Sequence, residues 1–385
     1  MAKGMDWADP LAQTRAFPTL DRRRFTTLAL AAAGAPLLTA ARASAAGKPL
    51  APSHGFNLPG WTDTDEGKAP SRPVLEKLAR FGFRSIRLPI DGNPFAAGGS
   101  KASDAATRVR GALGLLTHAG YTVSADLHPS GALSDALEND PKRGADMVRS
   151  AWRALAPVVA EFPAGKVAAE LLNEPPMEPD AWLALRDALA KAIRAQCPYH
   201  TLIWGPARYQ GVWEFDGTPP LADDNAVAAA HYYSPMAFTH QCESWNDSPL
   251  ARLKNLPFPA RRDDPRVEAL ARELKANDDA KALKMLNDAF SDPWTPSAIE
   301  SDFAGLSNWS ERHGQTVILN EFGVLDFCAD EKSRTAWIRA VRRAAERHGI
   351  GWTYWELDQG FGFIEDRRSP EGFDRAVVKA LLPNA

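Results

Sequence analysis

The sequence predicts an α/β chain of the (β/α)₈ type, on three observations. Eight short apolar runs recur after residue 50, at 54–59, 85–90, 121–128, 167–173, 201–205, 226–233, 316–322 and 351–357. Most are nearly continuous in apolar or small residues, which is how strands read when both faces are covered, as in a parallel sheet. Helical stretches at 72–81, 105–119, 144–161, 180–196, 298–313 and 332–348 separate them, and one at about 372–382 closes the chain. Eight strands alternating with helices is the pattern of the closed TIM barrel. The rival, an open doubly wound sheet, calls for a Gly-rich phosphate loop after an early strand, and none is found.

Taken in order, the rhythm breaks twice. After the fifth run, residues 209–224 contain Pro and Gly and show no clear helix. After the sixth, residues 236–296 are long, charged and punctuated by Trp and Pro, with a helical piece near 266–286. Following a strand, this insertion falls on the C-terminal face of the barrel, where it reads as a substrate wall or lid, or else as decoration. With no internal repeat or interdomain linker, residues 46–385 read as a single domain carrying 236–296 as an insertion after strand six.

The N-terminus reads as a targeting segment. Arg22-Arg23-Arg24-Phe25 precedes an apolar run from Leu28 to Leu38, and Ala43-Ser44-Ala45 fits a small-residue cleavage pattern. Charged, apolar, small is the build of a signal peptide, here of twin-arginine type over residues 1–45, and it implies export to the periplasm or exterior. The alternative, a membrane anchor, needs about 20 apolar residues, and this run is shorter.

Bulk composition excludes some partners. A net charge of −3 gives no reason to expect nucleic acid or a stable membrane surface. The cysteines Cys197, Cys242 and Cys328 lack CxxC spacing, so neither a zinc signature nor a disulfide framework is present; one bridge with a free thiol and three free thiols both stand. Twelve Trp suit a surface that stacks on the apolar face of sugar rings, or the packed interior of a large barrel.

The strand ends carry polar groups that a packed core would not require: Arg87 on the second, Asp126 and His128 on the third, Asn173 and Glu174 on the fourth, His231 and Tyr233 on the sixth, Asn320 and Glu321 on the seventh, Trp355 and Glu356 on the eighth. In a closed barrel these converge on one mouth. Glu174 and Glu321 then face each other, at the roughly 5–5.5 Å suited to double displacement at a sugar carbon. Glu321, as the partner of Arg87 and Tyr233, is the nucleophile; Glu174, without an obvious cation, is the general acid/base. Other readings are open for each: Arg87 as a structural ion pair, His128 and His231 as core histidines, Glu170 and Glu356 as the working carboxylates, Trp61, Trp213, Trp245 and Trp355 as core filler. No three-ligand metal set is apparent.

At these residues the chain resembles glycoside hydrolase family 5, the cellulase and mannanase family. Leu171-Leu172-Asn173-Glu174-Pro175 is similar to its acid/base strand and Asn320-Glu321-Phe322-Gly323 to its nucleophile strand; Arg87, His128, His231 with Tyr233, and Trp355 fall in the family's order, over about 54–365. The two strand-end glutamates and the Trp excess, with this resemblance, lead to the expectation of a retaining endo-β-1,4-glucanase without cofactor or metal, acting on a β-linked polysaccharide or oligosaccharide; a monomer is expected. The resemblance further implies that Asn173 binds the sugar 2-hydroxyl, Tyr233 holds Glu321, and Trp355 stacks under the sugar. Trp61 and Trp245 are expected at the substrate groove. Mannan, xyloglucan and β-1,3-glucan are alternative substrates, and a barrel that only binds glycan is the alternative class.

Overall fold

The computed structural model describes residues 49–385 apart from 66, 246 and 247, so the expected signal segment lies outside the described residues. The eight strands are β1 (His54–Asn57), β2 (Ser85–Asp91), β3 (Thr122–His128), β4 (Val167–Glu170), β5 (Leu202–Trp204), β6 (Ala226–Tyr232), β7 (Val317–Phe322) and β8 (Gly351–Tyr354). All pair in parallel, in sequence order, and β8 returns to β1 to close the cylinder. Closure leaves no edge strand and covers both faces, which accounts for the unbroken apolar runs.

The interior is divided by height. At its base Ala168, Ile203, Val227, Ala229 and Ile318 form a small apolar plug with Leu50 and Ala51 packed against it. Above it sit polar side chains from the same inward-facing positions: Asn57, Arg87, Asp126, Glu170 and Asn320. Outside, the strands pack on the helices through one large apolar cluster. Six of the twelve tryptophans, Trp152, Trp182, Trp204, Trp309, Trp337 and Trp352, are fully buried. For these the core-filler reading holds, so half of the Trp complement belongs to the packing layer.

The helices are α1 (Arg72–Phe81), α2 (Gly92–Ala97), α3 (Gly99–His118), α4 (Gly131–Asn139), α5 (Pro141–Ala160), α6 (Pro179–Gln196), α7 (Met236–Thr239), α8 (Pro265–Ala276), α9 (Ala280–Ala289), α10 (Pro296–His313), α11 (Glu331–Arg347) and α12 (Arg375–Leu381). Proline occupies the first turn of α1, α5, α6, α8 and α10, where its missing N–H costs nothing. Side-chain caps fix several starts, among them Ser71 on α1, Thr295 on α10 and Asp330 on α11.

Several boundaries differ from the sequence expectation. Strands four and eight end at Glu170 and Tyr354, earlier than 173 and 357. Helix α3 begins six residues before 105, at Gly99 with Gly98 as its N-cap, and both glycines take positive φ, 74° for Gly98 and 61° for Gly99. The short α2 and α4 are additional. The single helix expected at 266–286 is two, divided at Asn277-Asp278-Asp279, where Asp278 takes φ 53° and the Asp279 carboxylate caps α9. A single 3₁₀ turn, Val212–Phe215, stands where a fifth barrel helix would be. Cys242 and Cys328 form a disulfide, which joins the insertion to the loop after β7, and Cys197 is a buried free thiol. The structure thus decides between the two cysteine arrangements the sequence left open.

Candidate active site

Arg87 is the centre of the barrel mouth. The side chain has no exposure, and its five N–H donors are distributed over three carboxylates and two amides. Nε donates to Glu170 Oε1 and Oε2 at 3.0 Å, Nη2 to Glu170 Oε1 and Asn173 Oδ1 at 2.8 Å, and Nη1 to Asn57 Oδ1 at 3.0 Å and to Glu321 Oε1. Asp126 Oδ2 lies 3.1 Å from Nη2. Burial disfavours the guanidinium, but Asp126, Glu170 and Glu321 outweigh it and hold its pKa well above the ordinary value. Both readings of Arg87 are therefore compatible: it is a buried ion-pair hub, and one arm of the hub holds Glu321.

That hub has a measurable consequence. Replacing Arg87 by Met leaves three buried carboxylates without their cation, and removing one partner of a buried pair costs about 3–5 kcal/mol. Chemical denaturation of Arg87→Met should show a loss of that size. A loss below about 1 kcal/mol would mean that the three acids do not depend on the arginine.

Glu321 reaches the mouth through an irregularity. The β6–β7 register runs Ala230↔Leu319 and then His231↔Glu321, so Asn320 is an extra residue on β7. Strict alternation would place Asn320 and Glu321 on opposite faces. With the bulge, both side chains point inward: Asn320 Nδ2 donates to Glu170 Oε1 at 2.7 Å, while Glu321 accepts from Arg87 and, at 2.9 Å, from the Tyr233 hydroxyl.

Glu174 is held differently. It lies past the end of β4 with φ 44°, a left-handed conformation, and is 9% exposed. Its Oε1 meets His231 Nδ1 at 2.8 Å, and the same nitrogen lies 3.4 Å from Glu321 Oε2. Burial pushes Glu174 up to about 7, and pushes His231 down to about 4, so the imidazole between the acids is neutral at neutral pH. Oxygen atoms of Glu174 and Glu321 and a nitrogen of His231 all lie within 4.8 Å of one another.

The other expected residues divide into two groups. His128 Nδ1 meets Asp126 Oδ2 at 2.9 Å, its Nε2 lies 3.4 Å from Asn173 Nδ2, and its ring stacks on Trp355 at 6.2 Å. Burial lowers the His128 pKa but the Asp126 contact outweighs it, for a net rise. Asn173, His128, His231, Tyr233 and Trp355 thus all join the constellation around the two acids. Trp61 is partly buried on the loop after β1, where its backbone N–H donates to Asp63 Oδ1 at 3.0 Å. Trp245, in the insertion, is 47% exposed, and its ring meets the equally exposed Phe327 edge-on. Trp61 packs on the core and Trp245 on Phe327, so the structure does not bring either into the group around the carboxylate pair. Trp213 packs toward Tyr232, which belongs to the strand-helix layer, so there the filler reading stands.

The rival acids are committed elsewhere. Glu170 is bound by Arg87 and Asn320 below the mouth. Glu356 is fully buried and accepts from the backbone N–H groups of Asp358, Gln359 and Phe361. Burial raises it to about 7, but both oxygens are occupied by its own loop. The sequence concealed a three-ligand grouping: Glu174, His231 and Glu321 have the spacing to hold a metal ion. A cation there would face the Arg87 guanidinium already bound to Glu321, which opposes it electrostatically.

Buried tryptophans on the helices brace the strand ends. Trp152 on α5 donates from Nε1 to Leu171 O, two residues before Asn173, and Trp182 on α6 to Gly205 O, both at 2.7 Å. Trp337 on α11 donates to Ser234 O at 3.0 Å, next to Tyr233. Sequence reasoning missed two site residues: Asn57, whose amide accepts from Arg87 and which lies inside the first apolar run, and Gln210, which lies in a stretch that read as irregular.

Comparison with known proteins shows the family and the fold. A family model described as cellulase (glycosyl hydrolase family 5) matches residues 43–360. Endoglucanase 3 of Fibrobacter succinogenes is 29% identical over 347 residues, which is 84% of this chain and 52% of that protein, so the chain spans about half of its length. Endoglucanase C of Acetivibrio thermocellus is 26% identical over 337 residues, 82% of this chain and 94% of that one. Among solved structures, endoglucanase Cel5A from Thermotoga maritima superposes with a TM-score of 0.69 at 22% identity, over 86% of this chain and 96% of that chain. The cellulose synthase subunit Z of Clostridioides difficile does so with a TM-score of 0.68 at 22% identity, over 86% and 99%. At such identity the structural likeness speaks for the fold.

Proposed function

Since the chain belongs to glycosyl hydrolase family 5 and is a glycoside hydrolase, we propose that it is a retaining endo-β-1,4-glucanase working through Glu174 and Glu321. The observation that carries this reading is the spacing of the two acids, whose oxygens approach within 4.8 Å. An inverting enzyme needs roughly 6.5–9.5 Å between its carboxyls to seat a water, whereas double displacement needs the shorter gap.

In this reading Glu321 attacks the anomeric carbon while Glu174 gives its proton to the departing glycosidic oxygen. A covalent glycosyl–Glu321 ester results. Glu174, now ionised, takes a proton from water, which attacks the same carbon from the other face and releases the sugar with net retention. Arg87 and Tyr233 aim the nucleophile. Asn173 accepts or donates at the 2-hydroxyl, a contact that strengthens at the oxocarbenium-like transition state. Trp355, braced by His128, offers a stacking face to the sugar, with Trp61 and Trp245 as candidate platforms for further units. The two acids and the guanidinium perform this chemistry without cofactor or metal.

A screen over cellulose derivatives, mannan, xyloglucan and β-1,3-glucan, with NMR of the first-formed anomer, tests the proposal. The expected result is internal cleavage of β-1,4-glucan with a β-anomer first, undiminished by chelator. An α-anomer first, or loss of activity with chelator, would overturn the mechanism. Mannan is the second reading, favoured by the solved complex of Thermotoga maritima Cel5A with mannotriose as well as cellobiose.

Export belongs to the same proposal. The Arg22-Arg23 pair and following apolar run support a twin-arginine signal, and a disulfide is at home in an oxidising compartment. None of the described helices is long and apolar enough to cross a membrane. Substituting Arg22 and Arg23 together by Lys should leave uncleaved precursor in the cytoplasm. Mature enzyme still found outside would discard the twin-arginine assignment.

A further inference from the structure

The Glu174 backbone is left-handed, a conformation that a side chain with a Cβ adopts only when its surroundings impose it. The imposing contact is Gln210. The Glu174 backbone N–H donates to Gln210 Oε1 at 2.6 Å. Gln210 has no solvent exposure and is the last of three consecutive left-handed residues, Arg208 (φ 52°), Tyr209 (φ 66°) and Gln210 (φ 59°). Its Nε2 reaches Ala229 O on β6 at 3.4 Å, and its own carbonyl accepts from the His231 N–H at 2.9 Å. One step back, the Tyr209 N–H donates to Pro175 O at 3.3 Å. The space for the side chain exists because residue 205 is glycine: a Cβ there would lie 2.3 Å from Gln210 Nε2.

One residue therefore ties the end of β4 to the end of β6, by the two backbone positions whose side chains, Glu174 and His231, meet at 2.8 Å. We propose that Gln210 is a positioning residue for proton donation: by accepting the Glu174 N–H it fixes the turn that aims the Glu174 carboxyl at the leaving oxygen. The inference rests on the reading of Glu174 as general acid. Without the acceptor a buried N–H is left unpaired, and the turn gains a reason to relax toward negative φ, which swings the carboxyl off the scissile bond. Glu321, on β7 and held by Arg87 and Tyr233, does not share this support. The deficit should fall on the protonation step and spare nucleophilic attack.

The test is Gln210→Met, close in volume and without the acceptor, assayed for kcat/KM over aryl β-cellobiosides from dinitrophenyl to phenyl and on cello-oligosaccharides. The expected loss is roughly tenfold or more where the leaving oxygen needs a proton, and under about threefold for dinitrophenyl, since a misplaced catalytic group costs up to about 10²-fold. Equal losses across the series, or none, overturn the proposal. Gln210→Glu, which keeps an acceptor oxygen, should retain the wild-type leaving-group dependence. Its second acid beside the Glu174 amide should move the alkaline limb of the pH profile upward, because a neighbouring negative charge disfavours ionised Glu174. If Gln210→Met gives no cooperative melt, that limb decides: a rise supports the role and an unchanged limb overturns it. Wild type and Glu174→Ala run alongside. Wild type inactive on every aryl β-glycoside removes the hydrolase reading and this one with it. A steep series for Glu174→Ala beside a flat one for Gln210→Met removes only the role of Gln210.

Discussion

Glu321→Ala should lose at least about 10⁴-fold in kcat on aryl β-cellobiosides, the scale of removing a covalent nucleophile. The reason is geometric. Glu321 is the carboxylate that receives both the Arg87 guanidinium and the Tyr233 hydroxyl, contacts that orient an attacking oxygen. The small cavity left by alanine admits azide or formate, which should restore part of the activity. Because the anion then makes a single displacement, the recovered glycosyl azide should have the α configuration, readable by NMR. A loss of less than about tenfold, or a β-azide, would remove Glu321 from the nucleophile role. Tyr233→Phe gives the graded control, since it deletes one of the two holding contacts and keeps the acid.

Glu174→Ala should behave in the opposite sense across substrates. Dinitrophenyl cellobioside, whose leaving group departs without a proton, should still form the glycosyl-enzyme; phenyl cellobioside and polysaccharide should lose about 10²–10⁴-fold, the usual contribution of a general acid. The wild-type pH profile carries the same information. Burial raises Glu174 to about 7, and the group must be protonated to donate, so kcat/KM should decline as pH rises through about 7. Below that value the proton is present and this limb is flat. In Glu174→Gln the limb should disappear. A limb that stays in place would assign it to another group, and His128, whose pKa is also raised, is the first to examine.

The barrel was legible because its physics is periodic. Parallel strands covered on both faces must be apolar throughout, crossover helices must be amphipathic, and both patterns are written residue by residue. The acids and their companions were legible for a related reason: a polar group at the end of a buried strand has no packing role, so Arg87, His128, Asn173, Glu174, His231, Tyr233, Glu321 and Trp355 stood out individually. Tryptophan was more ambiguous, since an indole serves a sugar face or a hydrophobic layer equally well, and for Trp152, Trp182 and Trp337 it was the layer, with each N–H spent on a strand-end carbonyl.

Other features depended on chain segments far apart in sequence. Nothing local to Asn320-Glu321 announces an extra residue in β7; the bulge exists only relative to the β6 register, and it turns Glu321 inward. Nothing in a Pro- and Gly-containing stretch after β5 marks Gln210, whose role is defined by the distance to Glu174, 36 residues earlier. The pairing of Cys242 with Cys328 and the meeting of three acids on one arginine are likewise matters of closure. The sequence by itself determined the architecture and most of the chemical groups at the mouth, because apolar periodicity and misplaced polarity are local properties. Which atoms meet, and therefore how Arg87 is shared among three acids and how far burial raises Glu174, was decided only when the cylinder closed, because hydrogen bonds and desolvation act over a few ångströms in space and are indifferent to separation along the chain.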